Sequence, residues 1–261
     1  MTAKLLKYDI KKMTRILVYM YAISIALAAI TRFVNIWSDI PAVNILGLIL
    51  AGCTYSAIGN VLVNTFVHIL GVFIKSFYKD ESYLTHTLPV KKRELLNSKY
   101  IAAVTVVFLG VAVSFFSLFI LFYSSSFMTV IGNFISATVA GFNMSSGAFI
   151  ALVSVLIFLE LCSFITMGFA AIIKANTYNT KRTLRSFLWF IIFYLATMAV
   201  TVLSAIAVFA ISGNASELLS KTFSQETFLR LMWIAIIDYL IYSVAFFFIS
   251  HKLFNRGVNV D

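Results

Sequence analysis

Residues 148–174 read AFIALVSVLIFLELCSFITMGFAAIIK, with Glu160 the only charge before the closing Lys174. A helix rises about 1.5 Å per residue, so about 20 apolar residues cross a hydrocarbon core. This stretch is long enough and is expected to span a membrane. Five more runs satisfy the same rule, which places expected spans at 16–37, 43–74, 98–123, 148–174, 186–211 and 229–254. The run 43–74 is too long for one perpendicular crossing and must tilt, break or protrude.

Composition points the same way. Of 261 residues, 61% are hydrophobic and 11% charged, against about half and about a quarter in an average soluble domain. A water-soluble globule cannot hide that much apolar surface. Soluble enzyme, disordered tail and coiled coil are therefore excluded. So is a nucleic-acid binder, despite the net charge of +10. Twenty-six Phe and 12 Tyr suit lipid-facing and interfacial positions, and the two Pro suit long helices. Cys53 and Cys162 lie in apolar runs without a CxxC partner, which suggests packing rather than a disulfide or metal. Once six spans are taken, only loops remain. The expectation is a single transmembrane domain over 1–261 and an all-α integral membrane fold.

The basic residues set the expected orientation. With the N-terminus inside, the inner segments hold 17 of the 20 Lys and Arg. Only Arg32, Lys221 and Arg230 fall outside. Inward-facing loops carry such an excess, so both termini are expected in the cytosol. Lys4, Lys7, Lys11, Lys12 and Arg15 alternate with Leu6, Ile10, Met13 and Leu17 at helical spacing. That pattern predicts a separate amphipathic helix over 1–15, lying on an anionic leaflet before the chain turns inward. On the outer side, residues 124–147 carry no charge, and Phe127, Ile131, Phe134 and Thr138 recur at near-helical spacing. A re-entrant or surface-lying helix is expected there, and a second short outer helix over 216–228.

The inner stretch 78–99, YKDESYLTHTLPVKKRELLNSK, is long, polar and of mixed charge. Asp80 and Glu81 favour a helix N-terminus. Thr87, Leu88 and Pro89 predict a second helix start, with Pro89 in its first turn. Fixing topology needs only a few Lys or Arg, so a structured loop of mixed charge suggests docking onto a cytosolic protein.

This segment resembles the first cytosolic loop of bacterial ABC-2-type transporter permeases. The similarity lies in Asp80-Glu81-x-Tyr83-Leu84-Thr85-x-Thr87-Leu88-Pro89-Val90 and Glu94-Leu95-Leu96-x-Ser98-Lys99. Chain length and the six-helix, both-termini-inside plan agree with it. His86 departs from it, standing where an apolar or aromatic residue is expected. The resemblance implies an ABC-2 (type V exporter-like) permease fold in the bacterial cytoplasmic membrane. It implies that 78–97 forms a coupling loop seated in a groove of an ATP-binding subunit. Asp80, Glu81, Tyr83, Leu84, Thr85, Thr87, Leu88, Pro89, Lys91, Arg93 and Glu94 would make that contact. Lys91, Lys92 and Arg93 could equally set topology or touch phospholipid. The implied partners are two ATP-binding cassette subunits and a second permease copy, identical or homologous. This chain lacks GxxxxGK[ST], so ATP and Mg would sit in the partner subunit and no cofactor is expected here.

Two acids, Glu160 and Asp238, fall inside spans, where a charge costs about 2.5–3.5 kcal/mol on insertion scales and must face protein or water, either as a substrate contact or gate on the pathway or as a carboxyl bonded to another helix, with Asp238 alternatively near the outer interface. Ser56, Asn60, Asn64 and His68 recur every four residues on the second span. Such a stripe lines a passage or packs against another subunit. Thr197, Thr201 and Ser204 are expected to be packing residues. Enzyme chemistry is not expected: Glu160, Asp238 and His68 lie on three different spans, with no HExxH, GxSxG or paired acids. The expected function is the permease subunit of an ATP-driven exporter of an amphipathic or hydrophobic substrate, with peptide or antimicrobial cargo allowed by the resemblance. The alternative is an ATP-independent sensor or scaffold that docks a cytosolic partner through 78–97.

Overall fold

The computed structural model describes residues 2–37, 40–79, 81–87, 90–123, 125–139, 144–178, 181–212 and 225–255. Every regular element among them is an α-helix: α1 (Thr2–Asn35), α2 (Pro41–Tyr78), α3 (Ser82–Thr87), α4 (Lys92–Phe122), α5 (Ser125–Val139), α6 (Ser146–Ala175), α7 (Arg182–Ser212) and α8 (Gln225–Asn255). Six of these, all but α3 and α5, are long and apolar enough to cross a membrane. Their outward faces are apolar as well. On α7 alone Phe187, Leu188, Ile192, Leu195 and Leu203 are exposed. Lipid tails match such a surface and water does not. The chain is a multi-pass membrane protein.

Local chemistry starts and stops these helices. Pro41 opens α2 at a position where its missing N–H costs nothing. Ser145 caps α6 by accepting the backbone N–H of Ala148 at 3.2 Å. Asn176 closes α6 by donating its side-chain amide to the Ile172 carbonyl at 2.8 Å. Arg32 donates to the Ile120 and Tyr123 carbonyls at the end of α4, where a cation complements the helix dipole.

Two expectations need correction, and a third is narrowed. Residues 1–15 do not form a helix of their own, because α1 runs unbroken through them to Asn35. Asp9, Met13, Leu17, Tyr21, Ser24, Ala28 and Thr31 are buried in one continuous helical phase. The apolar stripe of the basic segment therefore continues into the span and packs on protein. Of the helix start expected at Thr87, Leu88 and Pro89, Thr87 closes α3, while Leu88 and Pro89 lie outside the described residues and before α4. That helix starts at Lys92, with Lys91 extended at its N-cap and Glu94 in the first turn. The favourable carboxylate at the positive helix end thus belongs to Glu94. Finally, α2 resolves its excess length without a break, since Pro41–Tyr78 is a single helix.

The chain divides into two compact units, Met1–Ile131 and Gly132–Asp261, with the division inside α5. In the first unit α1 packs on both α2 and α4. Hydroxyl pairs bind the three helices at successive depths: Thr31 with Thr54 at 2.7 Å, Ser24 with Ser117 at 3.1 Å and Tyr21 with Thr65 at 3.2 Å. Polar pairs of this kind join helices in lipid, where no hydrophobic force drives one helix onto another. In the second unit α6 packs on both α7 and α8. Met167, Ala170, Tyr242 and Phe246 form its core, with Phe164, Phe190, Phe193 and Tyr239 against them. At one end of this unit Lys174 lies 5.3 Å from the Trp189 ring and Arg185 lies 4.6 Å from the Tyr178 ring. These basic residues are therefore held over aromatic faces.

Residues 216–224 of the expected outer helix lie outside the described residues, and 225–228 belong to α8. The expected helix in 124–147 exists as α5, while the side chains of Phe127, Ile131, Phe134 and Thr138 lie outside the described set.

Candidate functional site

The second unit holds a cleft of about 100 Å3 among its three long helices. Glu160 enters it from midway along α6 and is half-buried. Aromatic rings surround it: Phe164 from α6, Tyr194 from α7, and Tyr239, Tyr242 and Phe246 from α8. Tyr239 lies beside Glu160, close enough for the two side chains to interact electrostatically. Three aliphatic hydroxyls also line the cleft, and each donates to helix backbone. Ser163 donates to the Glu160 carbonyl at 2.7 Å, Thr197 to the Tyr194 carbonyl at 2.8 Å and Thr201 to the Thr197 carbonyl at 3.0 Å. The Glu160 carboxylate is thus the strongest acceptor the cleft presents. Among the described residues no Lys or Arg forms an ion pair with it.

Asp238 has a different environment. It is buried between α7 and α8 and accepts the Ser204 hydroxyl at 2.6 Å. One turn away Tyr242 and Thr201 share a hydrogen bond of 2.9 Å, and Tyr242 also donates to the Thr197 carbonyl at 3.2 Å. Thr197, Thr201 and Ser204 therefore tie α7 to α8 through polar atoms as well as filling space. Interhelical hydrogen bonds in membranes average about 0.6 kcal/mol. Tyr242→Phe is accordingly expected to lower the unfolding midpoint in detergent slightly, and Tyr242→Ala, which also empties the core, much more. Equal effects of the two changes would contradict this assignment.

The first unit contains a second polar centre, at the end where α1 begins, α2 ends and α4 begins. Lys99 donates to Asp9 at 2.5 Å and to Ser76 at 3.2 Å. Ser98 donates to the other Asp9 oxygen at 2.7 Å. The side chains of Asp9 and Lys99 are only 1% and 4% exposed, so this is an ion pair shut away from solvent. Lys12 joins the cluster by donating to Ser76 at 3.2 Å and pairing with Glu81, the residue before α3. Two basic residues thus flank Ser76, and two carboxylates balance them.

The expected docking residues divide into three groups. Asp80, Leu88 and Pro89 lie outside the described residues, as do the side chains of Leu84, Thr85 and His86. Tyr83, Thr87, Lys91 and Arg93 are exposed, and Glu94 is half-buried. Glu81 turns toward Lys12 of the same unit. The stripe on α2 is not interior to its unit. Ser56 and Asn60 are exposed, while Thr54, Ile58, Val61, Thr65 and Ile69 form the packed face. Asn64 is half-buried, and His68 lies beside Lys12 and Met13 of α1 with its Nε2 shielded and no well-formed hydrogen bond. The four residues share a helix face, as spacing requires, but that face borders the packed one.

Sequence reading missed the Asp9–Lys99 pair, although a signal existed. Asp9 is the sole acid among residues 1–15 and shares the helical phase of Met13 and Leu17. The aromatic ring set around Glu160 left no comparable signal, since its members come from three helices.

No protein-family model, curated protein or solved structure matches this chain.

Proposed function

We propose that this chain is the membrane-spanning permease subunit of an ATP-driven exporter of the ABC-2 type, in a bacterial cytoplasmic membrane with both termini in the cytosol. The observation that best supports the reading is the cluster joining the segment after α2 to the spanning helices. Glu81 is paired with Lys12 of α1, and Lys12 shares Ser76 with the buried Asp9–Lys99 pair. A loop that receives a push from a cytosolic motor must be linked stiffly to the helices it moves. Here the polar cluster joins that loop to α1, α2 and α4. The exposed Tyr83, Lys91 and Arg93 offer side chains for contact with a partner.

In this reading two ATP-binding subunits dock beneath a pair of permease chains, identical or homologous. ATP and Mg are held by those subunits, and this chain hydrolyses nothing. ATP-driven closure displaces the 78–97 segment and shifts the spanning helices. Transport becomes directional because cargo binds one helix arrangement more tightly than the other.

The test is purification from native membranes in mild detergent. A stoichiometric P-loop ATPase is expected alongside the chain. Intact, folded protein that brings no ATPase argues instead for a sensor or scaffold. The paired change Asp80→Arg with Glu94→Arg gives a sharper answer. It is expected to leave membrane insertion unchanged and to abolish retention of the ATPase. An altered chain that inserts normally and still holds the ATPase would rule out docking through this segment.

A further inference from the structure

We propose that the Glu160 cleft is a binding site for the ammonium head of a cationic amphiphile. Three observations carry it. The first is chemical: with Ser163, Thr197 and Thr201 donating to backbone, the cleft offers one carboxylate among five aromatic side chains. A carboxylate backed by aromatic rings matches an ammonium, which gains both charge pairing and cation–π attraction. The second is the empty place in the charge balance. A carboxylate midway along a spanning helix requires a partner or water. The buried Asp9 has Lys99 and the buried Asp238 has the Ser204 hydroxyl, whereas Glu160 is half-buried and open to the cleft, with Tyr239 beside it and no ion-paired Lys or Arg among the described residues. The third is size. A volume of about 100 Å3 admits a head group, not a whole drug-sized molecule, for which pockets run to about 300 Å3 or more. The rest of the ligand must lie outside the cleft, and the apolar exterior of α7 suits a hydrocarbon chain.

This proposal names a cargo group for the permease. Its transport meaning rests on the ABC-2 reading, but its binding does not. The ammonium could arrive on a free amphiphile or on a phospholipid head, and the experiment separates the two.

The purified chain is reconstituted in nanodiscs of phosphatidylglycerol, without any ATPase, and titrated with dodecyltrimethylammonium. Saturable binding is expected. Glu160→Gln keeps the shape and removes the charge, and is expected to weaken binding about tenfold or more. Tyr239→Phe keeps a ring and is expected to bind within about threefold of the native chain, whereas Tyr239→Leu loses about tenfold. Absence of saturable binding, or equal affinity for the native chain and Glu160→Gln, would overturn the proposal. So would equal affinity for the Phe and Leu variants at Tyr239. Repeating the titration in phosphatidylcholine nanodiscs distinguishes the sources. A smaller ratio of native to Glu160→Gln affinity there means that the lipid head itself competes for the cleft, because the membrane's own attraction for the cation cancels in the ratio, and an unchanged ratio assigns the site to free amphiphiles. Either result keeps the ammonium chemistry. Because no ATPase is present, failure here leaves the permease reading standing, and failure of ATPase co-purification leaves this site standing.

Discussion

Asp9→Ala or Lys99→Ala alone is expected to destabilise the protein by about 3–5 kcal/mol, because each change strands an uncompensated charge in a buried site. The side chains of the pair are 1% and 4% exposed, so water cannot replace the lost partner. Losing Asp9 leaves the Lys99 ammonium with Ser76 as its remaining hydrogen-bond partner. Losing Lys99 leaves the Asp9 carboxylate with Ser98. Asp9→Leu combined with Lys99→Met removes both charges and keeps apolar volume. It is expected to be clearly milder than either single alanine change, since well-packed apolar replacements of buried pairs are often neutral. Thermal unfolding followed by size-exclusion profile in detergent measures all four proteins. Single variants as stable as the native chain would mean that the pair is hydrated. A double variant as damaged as the sum of the singles would mean that the charges do not act on one another.

The second large effect is expected at Gly110. A Cβ there would come within 3.1 Å of the Thr65 hydroxyl and 3.3 Å of the Tyr21 hydroxyl. Those two groups form the 3.2 Å hydrogen bond that links α1 to α2. Gly110→Leu therefore drives a side chain into the place where three helices meet. Overpacking of this kind costs about 1–3 kcal/mol, sometimes more. Gly110→Ala should be the gentler change, and adding Thr65→Ala should recover part of its loss by clearing the nearer atom. Unfolding midpoints check the series. A Gly110→Leu protein with a native midpoint would show that α4 can move away from α1 and α2 at little cost.

Both effects depend on register between distant segments. Along α1, Asp9 meets Ser98 and Lys99, Ser24 meets Ser117, and Arg32 meets the end of α4. Partner numbers rise together, so α1 and α4 run parallel. On α2 they fall, from Ser76 at Lys12 to Thr65 at Tyr21 and Thr54 at Thr31, so α2 is antiparallel to α1. Within the second unit Ser204 meets Asp238 and Thr201 meets Tyr242, which makes α7 and α8 antiparallel. Alternate crossings of a membrane require this order, and the hydroxyl contacts select the particular register within it.

What the sequence determined by itself is the number, length and approximate position of the spanning helices, and the separation of basic from neutral loops. Those properties are sums over contiguous residues, and the cost of placing a residue in lipid depends mainly on that residue. The tertiary structure alone decided which polar groups meet. Lys99 reads as one of six basic residues in an inner loop, yet it is buried on an aspartate 90 positions earlier. Glu160 and Asp238 read alike as acids within spans. One was given a serine from a neighbouring helix and the other a cleft ringed by aromatic side chains. Ser56 and Asn60 read as a possible passage lining and lie off the packed face of α2. In each case the outcome rests on the rotation and depth of one helix against another. Those are set by close contacts such as Gly110 on Thr65, for which hydropathy along a single helix carries no information.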